Sequence, residues 1–326
     1  MHILIVDTCK IPVHKYGGTE RVIWYLGKEL TRLGHKVTYL VEEGSSCEFA
    51  DVRFLDKSMP IASQTAGPWD IVHLNSQPDG IIQGPYVVTM HGNLNEQVPL
   101  DKNTIFISRN HAERFGSDEF VYNGMDWDDY SKPDLSILRR YYHFLGKAAW
   151  RIKNVKGAVQ TIDLTRNEKL YVLGGTRLNV NMGFRFTTSM RTRFFGMVGG
   201  DEKNRLLNGS KGLVFPVRWH EPFGLALTES LYYGCPIFGT PYGSLPEITG
   251  DRFGFLSANA KELAHAIDEA DFSPKECHEY AAETFNSRLM ALSYLRMYER
   301  VLNGKTIHTQ NPMLKEVQTE KFLPWK

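Results

Sequence analysis

Short apolar runs alternate along the chain with longer segments whose apolar residues recur every three or four positions. Residues 3–6 are apolar without alternation, the pattern of a strand buried on both faces. Residues 19–33 then place Val22, Ile23, Leu26, Leu30 and Leu33 on one helical face, Gly34 stops the helix, and 36–41 resume as a strand. Such a strand–helix–strand unit crosses over right-handed in about 98% of cases. Further strands are predicted at 71–74, 86–90, 105–108 and 120–122. The polar, turn-prone stretch 126–136 marks a domain boundary. Beyond it the pattern restarts at 142–145, 170–173, 194–197, 212–215 and 236–238. A last helix at 287–302 places Leu289, Leu292, Leu295 and Met297 near one face, and the polar tail from Asn303 is expected to return to the first domain. The alternation predicts an α/β fold with two doubly wound domains, 1–138 and 139–302, followed by the tail 303–326.

Composition narrows the classes. A chain of 326 residues exceeds one ordinary core, and 42% hydrophobic with 23% charged residues fits a folded globular protein. Lys plus Arg (38) nearly balances Asp plus Glu (37), so no global field favours nucleic acid as a partner. Cys9, Cys47, Cys235 and Cys277 form no C-x-x-C pair, which indicates neither a zinc site nor a disulfide framework and suits a reducing compartment. The opening MHILIVD has no basic leader and no long apolar run, and no stretch approaches the roughly 20 apolar residues of a membrane span. The expectation is a cytoplasmic protein, with peripheral membrane contact at the inner face left open.

Two stretches carry candidate chemistry. Tyr16-Gly17-Gly18-Thr19-Glu20 follows the first strand and opens a helix, where glycines let backbone approach a ligand and free N–H groups favour anions. Many α/β turns carry Gly-Gly merely to turn. The stretch is neither G-x-G-x-x-G nor a Walker motif, so nicotinamide and P-loop readings gain no support. The second stretch, 218–234 (RWHEPFGLALTESLYYG), has Pro222 where a helix could start and Gly234 after its end. Glu221 and Glu229 are eight residues apart, roughly 12 Å along a helix axis, too far to share a proton or a metal. A solvated acid and a first-turn glutamate complementing the helix dipole would have the same spacing.

Glu221-Pro222-Phe223-Gly224-Leu225 through Thr228-Glu229, with Gly234-Cys235-Pro236, closely resembles the E-x7-E signature of retaining GT-B glycosyltransferases of the family-4 (group 1) type. Five further stretches resemble that family in its own order. They are Gly17-Gly18-Thr19-Glu20 with Gly34-His35-Lys36-Val37, Thr89-Met90-His91-Gly92, 121–126, Phe144-Leu145-Gly146-Lys147 with Lys156-Gly157, and 242–247. The resemblance implies two Rossmann-like domains with a donor cleft between them. It implies transfer of a sugar from a nucleoside diphosphate sugar to a glycan, glycolipid or small hydroxyl acceptor, with retention and with no metal or other cofactor.

It also implies roles. Glu221 would face the donor sugar and Glu229 the ribose. The backbone at Phe223, Gly224 and Leu225 would approach the diphosphate. Lys147 and Lys156 would neutralise the leaving diphosphate, His91 would contact the sugar, and Gly17 and Gly18 would close over the phosphates. Fixed cations and N–H donors suit a reaction that leaves negative charge on a diphosphate. The chain departs from the family in having Lys147 where an arginine is usual, and in a longer spacing to Lys156, for whose role Lys153 competes. Asp126-Trp127-Asp128 matches the D-x-D metal motif of another glycosyltransferase fold, but it sits in the interdomain connection and is assigned no metal. His220 is assigned a local turn role, and Tyr232, Tyr233, Tyr294 and Tyr298 are read as packing or surface residues. A nucleotide-sugar epimerase and a non-catalytic subunit of the same fold remain as rival readings.

Overall fold

The computed structural model describes residues 1–13, 17–180, 182 and 184–326, so Tyr16 of the glycine loop lies outside the described residues. The chain divides into two compact units. In the first, β1 (His2–Val6), α1 (Thr19–Arg32), β2 (Lys36–Val41), β3 (Asp51–Phe54), α2 (Ile61–Gln64), β4 (Ile71–Leu74), β5 (Tyr86–Met90), β6 (Thr104–Phe106) and α3 (Arg109–Arg114) follow in order. The strands form one parallel sheet, β3-β2-β1-β4-β5-β6. Central β1 pairs on both sides, Ile3 facing Val37 and Ile71, which is why its residues are apolar without alternation. Leu4, Val6, Leu40, Val72, Leu74 and Val88 pack on one face of this sheet. The stretch 120–122, read as a strand, contributes only one bridge, Phe106 to Phe120.

The second unit contains β7 (Tyr141–Leu145), α4 (Val155–Leu164), β8 (Leu170–Leu173), a hairpin of β9 (Leu178–Asn179) and β10 (Arg185–Phe186), and β11 (Thr192–Phe194). It continues with α5 (Gly200–Asn208), β12 (Ser210–Phe215), α6 (Leu225–Tyr232), β13 (Ile237–Gly239), α7 (Leu245–Thr249), β14 (Gly254–Leu256), α8 (Ala260–Asp268) and α9 (Pro274–Thr284). Its main sheet runs β11-β8-β7-β12-β13-β14. With the hairpin set aside, both sheets have the order 3-2-1-4-5-6. In such sheets the order reverses beside the first strand, and ligands bind outside the strand ends at that reversal. In the second unit the reversal lies between β7 and β12.

The chain then returns to the first unit. Met125 bridges Asn286, and α10 (Ser287–Leu302) packs on α1 and β5. By contacts the first unit is therefore Met1–Val13, Gly17–Asp126 and Phe285–Gln318, whereas the hydrophobic pattern puts a boundary at 138/139 and groups 287–302 with the second domain. Pattern along the chain reports that a helix is amphipathic but not which sheet covers it. The tail runs with the first unit to Gln318, and Thr319–Lys326 belong to the second. The buried face of α10 is also not the leucine face. Leu289 is exposed, while Met290, Ala291, Tyr294, Tyr298 and Val301 are buried.

Those tyrosines are held by hydrogen bonds that hydropathy does not register. Thr89 Oγ1 donates to the Tyr294 hydroxyl (2.9 Å), so it accepts from His73 Nε2 (2.7 Å), and His73 Nδ1 accepts from the Tyr298 hydroxyl (2.6 Å). The second unit repeats the device. Ser230 Oγ donates to the Ala226 carbonyl (2.5 Å) and accepts from His143 Nε2 (2.9 Å), while His143 Nδ1 meets Ser210 Oγ (2.7 Å). Each histidine sits in a strand with no exposed surface, and burial lowers its pKa to about 3. The four cysteines are free thiols, and no helix among the described residues is long and apolar enough to cross a membrane.

Both histidines have folded-state pKa values below the unfolded value, so between about pH 6.5 and 3 the unfolded chain takes up protons that the folded chain refuses. Stability therefore falls with acidification, by roughly 2 kcal/mol per histidine at pH 5. Thermal melts should show a midpoint several degrees lower at pH 5 than at pH 7, with a smaller drop in His143→Gln. Equal midpoints for the parent at the two pH values would contradict this.

Candidate active site

The loops that leave β7 and β12 are tied together before any side chain is considered. After β7 the chain passes Gly146 and Lys147, turns through a 3-10 segment at Arg151–Lys153, and enters α4 from Asn154. Asn154 caps α4 by accepting from the Gly157 N–H (3.1 Å), and its amide donates to the Pro216 carbonyl just beyond β12 (2.9 Å). The Arg218 N–H donates to the Ile152 carbonyl (2.7 Å). These bonds place Lys153 against the β12 loop. Its ammonium meets Glu221 Oε2 at 2.5 Å and lies over the rings of Phe215 and Trp219. The Trp219 indole N–H donates to the same oxygen (2.9 Å). Glu221 and Lys153 are 5% and 9% exposed, so the charges are largely removed from water and depend on each other.

The expected helix start at Pro222 is displaced. Gly224 has φ +83°, a left-handed backbone that turns the chain, and α6 begins at Leu225. Glu221 is therefore on the turn before the helix, at an end where backbone N–H groups lack intrahelical partners. The turn is braced by Ser244, whose N–H donates to the Glu221 carbonyl (2.9 Å) and whose hydroxyl donates to the Phe223 carbonyl (2.6 Å). Gly243 beside it must lack a side chain, because a Cβ there would lie 2.2 Å from the Glu221 nitrogen.

Glu229, inside α6, is 2% exposed. Its Oε1 accepts from the Tyr130 hydroxyl (2.8 Å) and pairs with the Lys203 ammonium, which lies 5.2 Å over the Tyr130 ring. Trp127 stacks flat on Tyr232 of the same helix, centroids 4.1 Å apart. Lys203, Tyr130 and Trp219 are site residues that no motif in the sequence marks. Lys203 had a signal: it shares the buried stripe of α5 with Leu206 and Leu207, three and four residues on, where a lysine needs a buried partner.

The other expected residues fall elsewhere. Lys147 is half-buried, with its ammonium 5.4 Å over the Trp150 ring. Lys156 is exposed on the first turn of α4 and lines a cavity that contains neither glutamate. The structure thus brings Lys153, not Lys156, to Glu221. In the first unit, Gly17 precedes Gly18, the cap of α1. His91 follows β5, and its Nε2 bonds Asn75 Oδ1 (2.8 Å), while desolvation lowers its pKa to about 4 and keeps the ring neutral at ordinary pH. Asp126 of the D-x-D match pairs with Lys28 (2.7 Å) and Arg32 (3.0 Å). Burial pushes its pKa up, but the two cations outweigh that and hold it below the usual carboxylate range.

Two six-stranded parallel sheets of this order place the chain in the GT-B fold class. The chain is similar over its length to solved structures of that class. It covers 94% of itself and 99% of the glycosyltransferase AviGT4 of avilamycin A biosynthesis (17% identity, TM-score 0.73). For sucrose-phosphate synthase from Thermosynechococcus elongatus the shares are 93% and 100% (16% identity, TM-score 0.70). For HepE of Anabaena, solved with UDP-glucose, they are 92% and 99% (16% identity, TM-score 0.67). Residues 139–270 match the family model described as "Glycosyl transferases group 1". No curated protein matches the sequence.

A buried ion pair that loses one partner typically costs about 3–5 kcal/mol, whereas replacing both members can be nearly neutral. Lys153→Met should therefore destabilise the protein by about that amount, and Lys153→Met with Glu221→Gln should recover most of it. Denaturant unfolding of the two single mutants and the double mutant measures the coupling. Additive losses would show that the two groups do not depend on each other.

Proposed function

We propose that this protein transfers a sugar from a nucleoside diphosphate sugar to a hydroxyl of a glycan, glycolipid or small acceptor, with retention of configuration and without a divalent metal. The observation that carries the proposal is the Lys153–Glu221 pair beside the left-handed Gly224 turn, at the N-terminus of α6. An ammonium has three donors, so Lys153 can hold Glu221 and a phosphate oxygen together. The donor diphosphate lies at the backbone of Phe223, Gly224 and Leu225, with Lys147 and Lys153 countering its charge as the bond breaks. Lys153 takes the role that the resemblance implies for Lys156. Glu221 stabilises positive character on the sugar, and Glu229, paired with Lys203, binds the ribose. In the first unit, neutral His91 is suited to hydrogen-bond a sugar, and Gly17 and Gly18 to approach phosphate by their backbone. HepE of Anabaena, solved with UDP-glucose, and a starch synthase solved with ADP support a nucleotide-sugar donor.

A panel of nucleotide sugars, scored for thermal stabilisation and release of free nucleotide, tests the donor class. A ligand at 100 times its Kd adds about 2.7 kcal/mol, a readily seen shift. Turnover should survive EDTA. Turnover abolished by the chelator and restored by magnesium or manganese would overturn metal independence. The products should keep the donor's anomeric configuration.

The two glutamates should fail differently. Glu229→Gln removes binding common to ground and transition states and should mainly raise the donor KM, by about 1–3 kcal/mol of binding. Glu221→Gln removes an interaction that strengthens as the bond breaks, so it should lower kcat with nucleoside diphosphate affinity nearly unchanged. The same kinetic signature in both would refute the placement of the donor along α6.

A further inference from the structure

Beside the candidate donor residues, but lined by none of Lys153, Glu221, Gly224 or Glu229, is a cavity of about 220 Å³. Its walls come from four places: the approach to α4, the β9–β10 hairpin, the loop after β12, and the tail after Thr319. Four cations line it, Arg151, Lys156, Arg185 and Arg218, and no Asp or Glu is among its described lining residues. Arg185 is buried and spends its guanidinium on neutral acceptors, Thr187 Oγ1 (2.9 Å) and the Thr176 carbonyl (2.9 Å). Arg218 Nε likewise donates to the Leu323 carbonyl (2.8 Å), and the Leu323 N–H returns a bond to the Arg218 carbonyl (2.9 Å). These contacts orient the cations without cancelling their charge.

Three aromatic residues, Trp150, Phe184 and Phe322, also line it, among smaller and aliphatic neighbours. Phe322 carries Arg151 at 5.4 Å and Arg218 at 5.1 Å from its ring centroid. The tail that holds Phe322 is itself fastened. The Tyr242 hydroxyl donates to the Pro324 carbonyl (2.9 Å), Trp325 Nε1 donates to Gln160 (3.0 Å), and the Lys326 N–H donates to the Ala258 carbonyl (2.9 Å). A concave space with net positive charge and flat apolar walls suits a ligand that is acidic at one end and presents C–H faces at the other. The volume is below the roughly 300–1,000 Å³ of drug-sized sites, which limits the occupant to about one sugar ring with its acid group.

We propose that this cavity is a second ligand site, for an acidic sugar: a monosaccharide unit bearing a phosphate or a carboxylate. The unit can belong to an acceptor or be a free effector, and the charge and shape requirements are the same. The site does not depend on the donor reading.

Titration calorimetry on the full chain with glucose 6-phosphate, glucuronate, glucose and inorganic phosphate tests it. At least one acidic sugar should bind about tenfold or more tighter than glucose and than inorganic phosphate. Arg151→Glu, an exposed position, should weaken that binding by about tenfold or more, with the nucleotide-sugar thermal shift of the panel unchanged. Arg151→Gln is the milder variant should the charge reversal disturb folding. Equal binding of glucose and both acidic sugars, no binding of any, parental affinity in both variants, or displacement of the acidic sugar by the nucleotide each overturns the proposal. If turnover yields glycosylated acidic sugar, the unit is part of an acceptor. If the acidic sugar is recovered unchanged while nucleotide release alters, it is an effector. Both outcomes uphold the second site.

Discussion

Two carboxylates of the second unit are held almost out of water, and each is tolerable only because a lysine is buried with it. Removing an ion from water costs several kcal/mol even after relaxation, and only close partners and good hydrogen bonds offset the cost. Glu221 has Lys153 and the Trp219 indole, and Glu229 has Lys203 and the Tyr130 hydroxyl. The requirement reaches far into the chain. Lys153 can meet Glu221 only if the loop after β7 is bonded to the loop after β12, as Asn154 and Arg218 ensure. Lys203 can meet Glu229 only if α5 turns a charged residue onto its buried stripe. Packing of two helices and two loops is thus set by charge neutralisation as much as by apolar contact.

Much of the scaffold was legible in the sequence because buried parallel strands leave dense apolar runs. The strands 71–74 and 86–90 and the helix 287–302 coincide with the structure end to end. Edge strand Asp51–Phe54 was missed because three of its four residues are exposed, so no apolar run marks it. The hairpin after β8 was missed because its strands are two residues long. The start of α6 was misplaced because proline announces a helix, while the left-handed Gly224 that delays it leaves no periodic trace.

The candidate site was legible only in part. The two glutamates and the glycine turn stand in a recognisable order. Their partners lie 68 and 26 residues away in the chain, so no local spacing joins them. The tyrosines of α10 show the same limit. Their pattern reads as packing or surface, but Tyr298 bonds to a neutral histidine of β4 and Tyr294 to Thr89 of β5, both more than 200 positions earlier. Long-range polar pairs are what one sequence conceals best, and here they decide which face of a helix is inside.

The route of the chain has a consequence for how the protein comes into being. The first unit is closed by α10 and by the segment to Gln318, whose Tyr298 and Tyr294 complete the bonds around His73 and Thr89. While the nascent chain lengthens, that sheet must wait through the whole of Trp127–Thr284 with one face lacking its helix. The later-made unit meanwhile has nearly all of its strands and helices at hand. The usual order, in which the amino-terminal domain folds first as it leaves the ribosome, is inverted for the final packing. For this chain, a halt after Thr284 has emerged but before α10 has leaves an unfinished beginning beside a nearly finished middle.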